Sequence, residues 1–155
     1  MSAHSEALDL FDPIISRWFS SSVGVPTDVQ AQAWPRIAAG EHVLVTAPTG
    51  SGKTLTAFLS SLDTLVTPPA AGAEPIDPKA RTRVLYISPL RALAFDVEKN
   101  LRSPLMGIRL AAERLGVPFL EPTVAMRTGD TSPKDRQALA RRPVDLLITT
   151  PESLY

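Results

Sequence analysis

Leu8, Phe11, Ile14, Ile15, Trp18 and Phe19 recur at three- and four-residue spacing, the stripe of an amphipathic helix that runs into the breakers Ser20-Ser21-Ser22 and Gly24. Pro13 falls in its first turn. Thr27 or Asp28 is placed to cap a second helix through Gln30, Ala33, Trp34 and Ile37, ending at Gly40, with Pro35 set to kink or shorten it. Trp18 and Trp34 read first as packing residues. Residues 42–47 (HVLVTA) form a short apolar, β-branched run that predicts a buried strand, and residues 53–65 predict a helix. Residues 67–79 are rich in Pro, Ala and Gly and read as an exposed loop. Strand signals then return at 83–88 (RVLYIS), 123–128 (TVAMRT) and 144–149 (VDLLIT). A helical stretch follows the first of these from Leu90, broken near Ser103-Pro104, resumed to Leu115 and stopped by Gly116; a short helix is predicted at 133–141. Alternating strands and helices predict an α/β fold with a parallel sheet and helices on both faces.

Composition narrows the classes without naming one. Sixteen Lys and Arg balance sixteen Asp and Glu, which argues against a protein that grips nucleic acid through bulk charge. There is no cysteine, so disulfides, thiolate catalysis and Cys-based zinc sites are excluded, and His4 and His42 are too few and too separated for a histidine metal site. No apolar run is long enough to span a membrane and residues 1–10 lack the features of a secretory leader, so the expected location is cytoplasmic.

Residues 47–54 (APTGSGKT) fit the phosphate-loop pattern once its first position is allowed to be Ala, as here at Ala47, and lie between a predicted strand and a predicted helix. The chemistry accounts for each position. Gly50 and Gly52 let the backbone turn its N–H groups toward phosphate oxygens, and the following helix adds its positive end. Lys53 reaches the β- and γ-phosphates and the Thr54 hydroxyl takes a place on Mg²⁺, which makes these two the candidate catalytic residues and Thr49, Gly50, Ser51, Gly52, Lys53 and Thr54 the candidate ATP contacts.

The neighbouring motifs resemble superfamily 2 helicases. Pro26-Thr27 with Gln30 resembles the Q motif, in which a Gln amide reads the adenine edge; Phe11 is the nearest upstream aromatic in spacing, slightly displaced, that could stack on the base. The alternative for Gln30 is an exposed polar residue on an ordinary helix. Residues 89–94 (PLRALA) resemble motif Ia, offering Pro89 and Arg91 to a nucleic-acid phosphate, against the plain reading of a turn with a solvated arginine. Residues 127–131 (RTGDT) and 149–154 (TTPESL, similar to motif Ib) place Arg127, Thr128, Gly129, Thr149 and Thr150 as candidate strand contacts; ordinary turn chemistry is the alternative. All four predicted strand ends fall on one sheet edge, where open α/β folds bind ligands. Directed N–H and hydroxyl groups with a few arginines would then grip a strand without any net charge.

Within that superfamily the wording is most similar to the Lhr (large helicase-related) family, through Pro26-Thr27, Ala33-Trp34-Pro35, APTGSGKT, Leu62-Asp63, LYISPLRALAFDVEKNL, RTGDT and ITTPESL. The resemblance implies a RecA-like P-loop NTPase that uses ATP and Mg²⁺ to move along single-stranded DNA and unwind duplexes or RNA-DNA hybrids in DNA repair. It divides the chain into a helical segment with the Q-like motif at 1–40 and part of RecA-like domain 1 at 41–155.

No Asp-Glu dipeptide occurs, so the Walker B element that would hold Mg²⁺ and orient water is missing. The sequence thus reads as an N-terminal fragment cut before the Walker B strand, inactive alone and partnered in its parent chain by a second RecA-like domain. A non-catalytic nucleotide- or nucleic-acid-binding module is the alternative. A small P-loop kinase leaves the Q-like motif and PLRALA unexplained.

Overall fold

The structure, a computed structural model, describes residues 6–69, 77 and 81–154. Most of the loop expected at 67–79 lies outside the described residues. The chain groups into two compact units, Met1–Thr67 with Gly107–Phe119, and Pro68–Met106 with Leu120–Tyr155.

In the first unit, helix α1 (Pro13–Ser22) starts where Asp12 accepts the Ile14 N–H and Pro13 supplies a pre-set φ. It buries Ile14, Ile15, Trp18 and Phe19. Helix α2 (Asp28–Ala38) is opened by a capping box: the Thr27 side chain accepts the Gln30 N–H while Gln30 Oε1 accepts the Thr27 N–H at 2.9 Å. The helix passes through Pro35. Helix α3 (Lys53–Val66) begins at Gly52 in left-handed conformation, φ +83°, and buries Phe58, Leu59, Leu62, Leu65 and Val66. Fully buried Trp34 ties this unit together, with Phe11 and Phe19 in T-shaped contact with its ring at centroid distances of 5.0 and 5.4 Å and its indole N–H on the Thr56 carbonyl at 3.1 Å. Asp63 of α3 accepts the Asp12 backbone N–H at 2.9 Å, and burial outweighs that bond to hold its carboxyl above the usual range.

The strand expected at 42–47 does not form. The segment carries no ladder among the described residues, and burial alternates along it: Val43, Val45 and Ala47 are half-covered while Leu44 is 89% exposed. An apolar run becomes a strand only where another strand accepts its backbone groups, and none lies beside this one among the described residues.

The second unit holds three parallel strands, β1 (Val84–Ile87), β2 (Val124–Arg127) and β3 (Leu146–Thr149), in the order β1-β3-β2. Val84 and Val124 both sit beside Leu146, and Ile87 and Arg127 beside Thr149, so the three strands end level. Central β3 buries Leu146, Ile148 and Thr149; on β1, Leu85 and Ile87 stay half-exposed. Asp145 knots the entering ends. Arg81 donates two bonds to its carboxylate at 3.0 Å, and the Thr123 N–H and hydroxyl donate at 2.8 and 2.7 Å. Burial alone would raise the Asp145 carboxyl, but the Arg81 and Thr123 hydrogen bonds and the Arg81 charge outweigh it and hold it below the carboxylate range; the same pairing raises Arg81.

Helix α4 (Arg91–Leu115) runs unbroken through Pro104, contrary to the expected interruption. Proline removes one N–H from the ladder, while a buried stripe of Val97, Leu101, Ile108 and Ala112 continues across it and Glu98–Arg102 and Arg109–Glu113 pairs brace either side. Gly116, φ +65°, ends it, with the Val117 N–H reaching back to the Ala112 carbonyl. Helix α5 (Pro133–Arg141) is capped by Ser132, and a 3₁₀ turn (Pro151–Ser153) follows β3. No described helix is long and apolar enough to cross a membrane.

Candidate nucleotide and nucleic-acid sites

Gly50 and Gly52, both at φ near +80°, give the loop before α3 its tight course. The Ser51 hydroxyl donates to the Pro48 carbonyl at 2.8 Å, and the Lys53 ammonium folds back onto the carbonyls of Ala47 and Pro48. Thr49 and Gly50 are exposed at the loop's crest and Thr54 is exposed in the first turn of α3. This is a short positive helix end fronted by a lysine that holds no carboxylate among the described residues.

The Q-like motif is bonded directly to this loop. Thr27 Oγ1 donates to the Ser51 carbonyl at 3.1 Å, and Gln30 Nε2 donates to the Gly52 carbonyl at 3.4 Å. Gln30 is 2% exposed, and a Cβ on Gly52 would stand 2.6 Å from its Nε2. Its amide thus braces the loop from behind. Phe11, the candidate base-stacking ring, is in T-shaped contact with Trp34 and is half-buried.

In the second unit the three strands deliver the remaining candidates to one edge; the fourth strand expected at 42–47 does not form among the described residues. After β1, the Ser88 hydroxyl donates to the Leu90 carbonyl, Pro89 is exposed and Arg91 opens α4, ion-paired to Asp130 and 5.9 Å from the Phe95 ring centroid. After β2, Thr131 Oγ1 accepts the Thr128 N–H at 2.8 Å, and the Arg136 guanidinium forks onto the carbonyls of Thr131 and Gly129 at 2.9 and 2.7 Å. The Nε of Arg127 is buried without a hydrogen-bond partner among the described residues. At the end of β3 the Thr149 hydroxyl donates to the Arg127 carbonyl at 2.7 Å, and the Thr150 and Ser153 hydroxyls share a bond of 3.3 Å. Thr128, Thr149 and Thr150 are buried, whereas Arg91 and Gly129 face outward.

The sequence pattern of the DEAD/DEAH box helicases matches residues 27–155, from the capping threonine of α2 to the end of the chain. The chain belongs to the DEAD/DEAH box helicase family. Among its helicase relatives, the Lhr helicase/probable uracil glycosylase of Mycolicibacterium smegmatis is 49% identical over 151 residues, and the Lhr helicase/uracil glycosylase of Escherichia coli 47% over 147. These alignments cover 97% and 95% of this chain, which spans about a tenth of the length of either relative. The structure of the Mycobacterium smegmatis helicase Lhr bound to ssDNA and AMP-PNP is similar over 96% of this chain and 18% of that one, with a TM-score of 0.85 at 49% identity. A truncated RecA-like helicase fold fits both likenesses. Asp130, Arg136 and Asp145 escaped the sequence reading because their partners lie on other elements.

Proposed function

We propose that this helicase-family chain is the ATP-binding part of an ATP-dependent translocase or helicase acting on single-stranded DNA, as in DNA repair. The observation that carries this reading is the hydrogen bonding of Thr27 and Gln30 onto Ser51 and Gly52, which joins two motifs 22 residues or more apart into one frame. The likeness to a helicase bound to ssDNA and AMP-PNP supports it.

In this reading the N–H groups at 50–54 cradle the phosphates, and Lys53 leaves the Ala47 and Pro48 carbonyls for the β- and γ-phosphate oxygens. Gln30, whose amide is held by the Thr27 N–H and the Gly52 carbonyl, would read the adenine edge by giving up one of these bonds, and Phe11 would stack on the base by leaving the Trp34 ring. No cluster of three His, Asp or Glu that could hold a metal occurs among the described residues, so Mg²⁺ would come with the nucleotide and take the Thr54 hydroxyl as its contact here. When bound it neutralises phosphate charge. Pro89, Arg91, Arg127, Thr128, Gly129, Thr149 and Thr150 line the strand-end edge for a DNA strand or an RNA-DNA hybrid, with Arg91 and Gly129 outermost and the threonines shaping the edge beneath. Residues 1–40 would serve as the Q-motif segment and 41–155 as part of RecA-like domain 1, completed in a parent protein by a second such domain.

With no Asp-Glu pair in the sequence, the chain alone binds nucleotide weakly and does not turn it over. That property also fits a non-catalytic module, the second reading. Calorimetric titration with AMP-PNP and a phosphate-release assay with ssDNA test both, with Lys53→Ala as control. Weak binding lost in K53A is expected; equal binding by the variant overturns the nucleotide site, and hydrolysis abolished by K53A overturns the inactivity.

A further inference from the structure

Arg91 and Asp130 meet at the strand-end edge although they come from different connections, Arg91 from the first turn of α4 and Asp130 from the turn after β2. Both are more than half exposed, so neither is needed to neutralise a charge buried in the core. The turn that presents Asp130 is nevertheless held firmly. Thr128 and Thr131 bond each other in both directions, N–H to Oγ1 at 2.8 Å and N–H to carbonyl at 3.1 Å, and Arg136 grips the carbonyls on either side of Asp130, those of Gly129 and Thr131. A surface carboxylate on a braced turn is thereby aimed at an arginine on the edge assigned above to a nucleic-acid phosphate.

We infer that Asp130 is an internal competitor for the phosphate bound by Arg91, a built-in counter-ion that weakens the grip on the strand and keeps Arg91 neutralised between encounters. This rests on the proposed role of Arg91 as a phosphate contact. The chemistry supports competition on two counts. A carboxylate and a phosphodiester are both anionic oxygen acceptors for the same guanidinium donors, so they take turns on them. An exposed ion pair is also only weakly held, so a phosphate can displace it, and the displaced carboxylate then stands close enough to repel the newcomer. A translocating protein gains from such an arrangement because a contact that must be released at each step should not be too strong.

The test is fluorescence anisotropy of a labelled oligo(dT) titrated with the 155-residue chain at about 50 mM salt, where charge effects are least screened. Asp130→Asn keeps the turn, since Asn suits it equally, and is expected to tighten binding about two- to fivefold, the range of a modest exposed charge interaction. The gain should shrink as salt is raised. Asp130→Glu, which keeps the charge, should bind as wild type. Arg91→Gln should weaken binding, and in its background Asp130→Asn should have little further effect. No measurable binding by the wild type, or unchanged binding by R91Q, overturns the role of Arg91. If R91Q weakens binding and D130N does not tighten it, or if D130N tightens it equally in both backgrounds, the competitor role of Asp130 fails while that of Arg91 stands. Circular dichroism melts of each variant establish that the fold is retained.

Discussion

The indole of Trp18 lies on the bare backbone of Gly107, where a Cβ would meet the ring Nε1 at 2.1 Å and Cδ1 at 2.7 Å. Glycine in mid-helix normally costs about 0.5–1 kcal/mol relative to alanine, so Gly107→Ala on an open helix face would stabilise. Here the methyl group meets a buried aromatic ring, and overpacking costs about 1–3 kcal/mol. The clash wins, and G107A should lower the urea midpoint. A raised midpoint would show that the ring has room to move.

Gly52 carries two separable demands. Its φ of +83° disfavours any side chain, and Gln30 Nε2 occupies the space a Cβ would need. A left-handed L-residue costs about 1–2 kcal/mol, and displacing the end of a flexible amide adds to it. Gly52→Ala is expected to destabilise by about 2 kcal/mol, and less in a Gln30→Ala background, where only the backbone part remains. A double-mutant cycle by chemical denaturation reads the difference; strict additivity would place Gln30 elsewhere.

Asp145 and Asp63 should respond to pH with opposite signs. The folded-state pKa of Asp145 is depressed by Arg81 and Thr123, so its stabilisation is present above the unfolded value of about 3.9 and is lost as pH falls through the lower folded value. For Asp63, burial raises the folded-state pKa, so between about 3.9 and that higher value the folded state holds the proton more tightly and stability falls as pH rises. Melting curves from pH 3 to 7 should show the gap between wild type and Asp145→Asn widening with pH, and that between wild type and Asp63→Asn moving in favour of the variant. Parallel curves would contradict both assignments.

Arg136 supports the turn after β2 with a two-pronged bond that one ammonium cannot copy. Arg136→Ala should cost about 1 kcal/mol, and Arg136→Lys should recover little of it. Full rescue by lysine in thermal melts would mean that charge alone sufficed.

Where local chemistry dictates the outcome, the sequence was a sound guide. Pro13 stands in the first turn of its helix, Thr27 caps the next through a bond to the Gln30 N–H, the short helix starts at Pro133, and Gly116 marks a stop, each as expected. The strands at 124–127 and 146–149 formed because each found a neighbour. The segment at 42–47 is likewise a short, mainly apolar run and found none among the described residues. Pro104 looked like a breaker because the buried stripe that overrides it depends on tertiary packing. The site divides similarly. The loop at 47–54 was legible from its spacing, whereas the contact of Gln30 with Gly52, the Arg91–Asp130 pair and the Asp145 knot are long-range pairings that no local pattern announces.

The unpaired approach to the phosphate loop gives its two sides different clocks. Beyond Gly52 the amides enter a helix, beginning with the Thr56 N–H on the Gly52 carbonyl, while on the approach at 43–46 no backbone amide has a hydrogen-bond partner among the described residues. Deuterium should therefore exchange rapidly before the loop and slowly after it. A strand from any source that paired with Leu44 and its neighbours would erase that contrast, whereas phosphate seated on the loop alone would leave it standing, so the exchange pattern distinguishes a loaded site from a completed sheet.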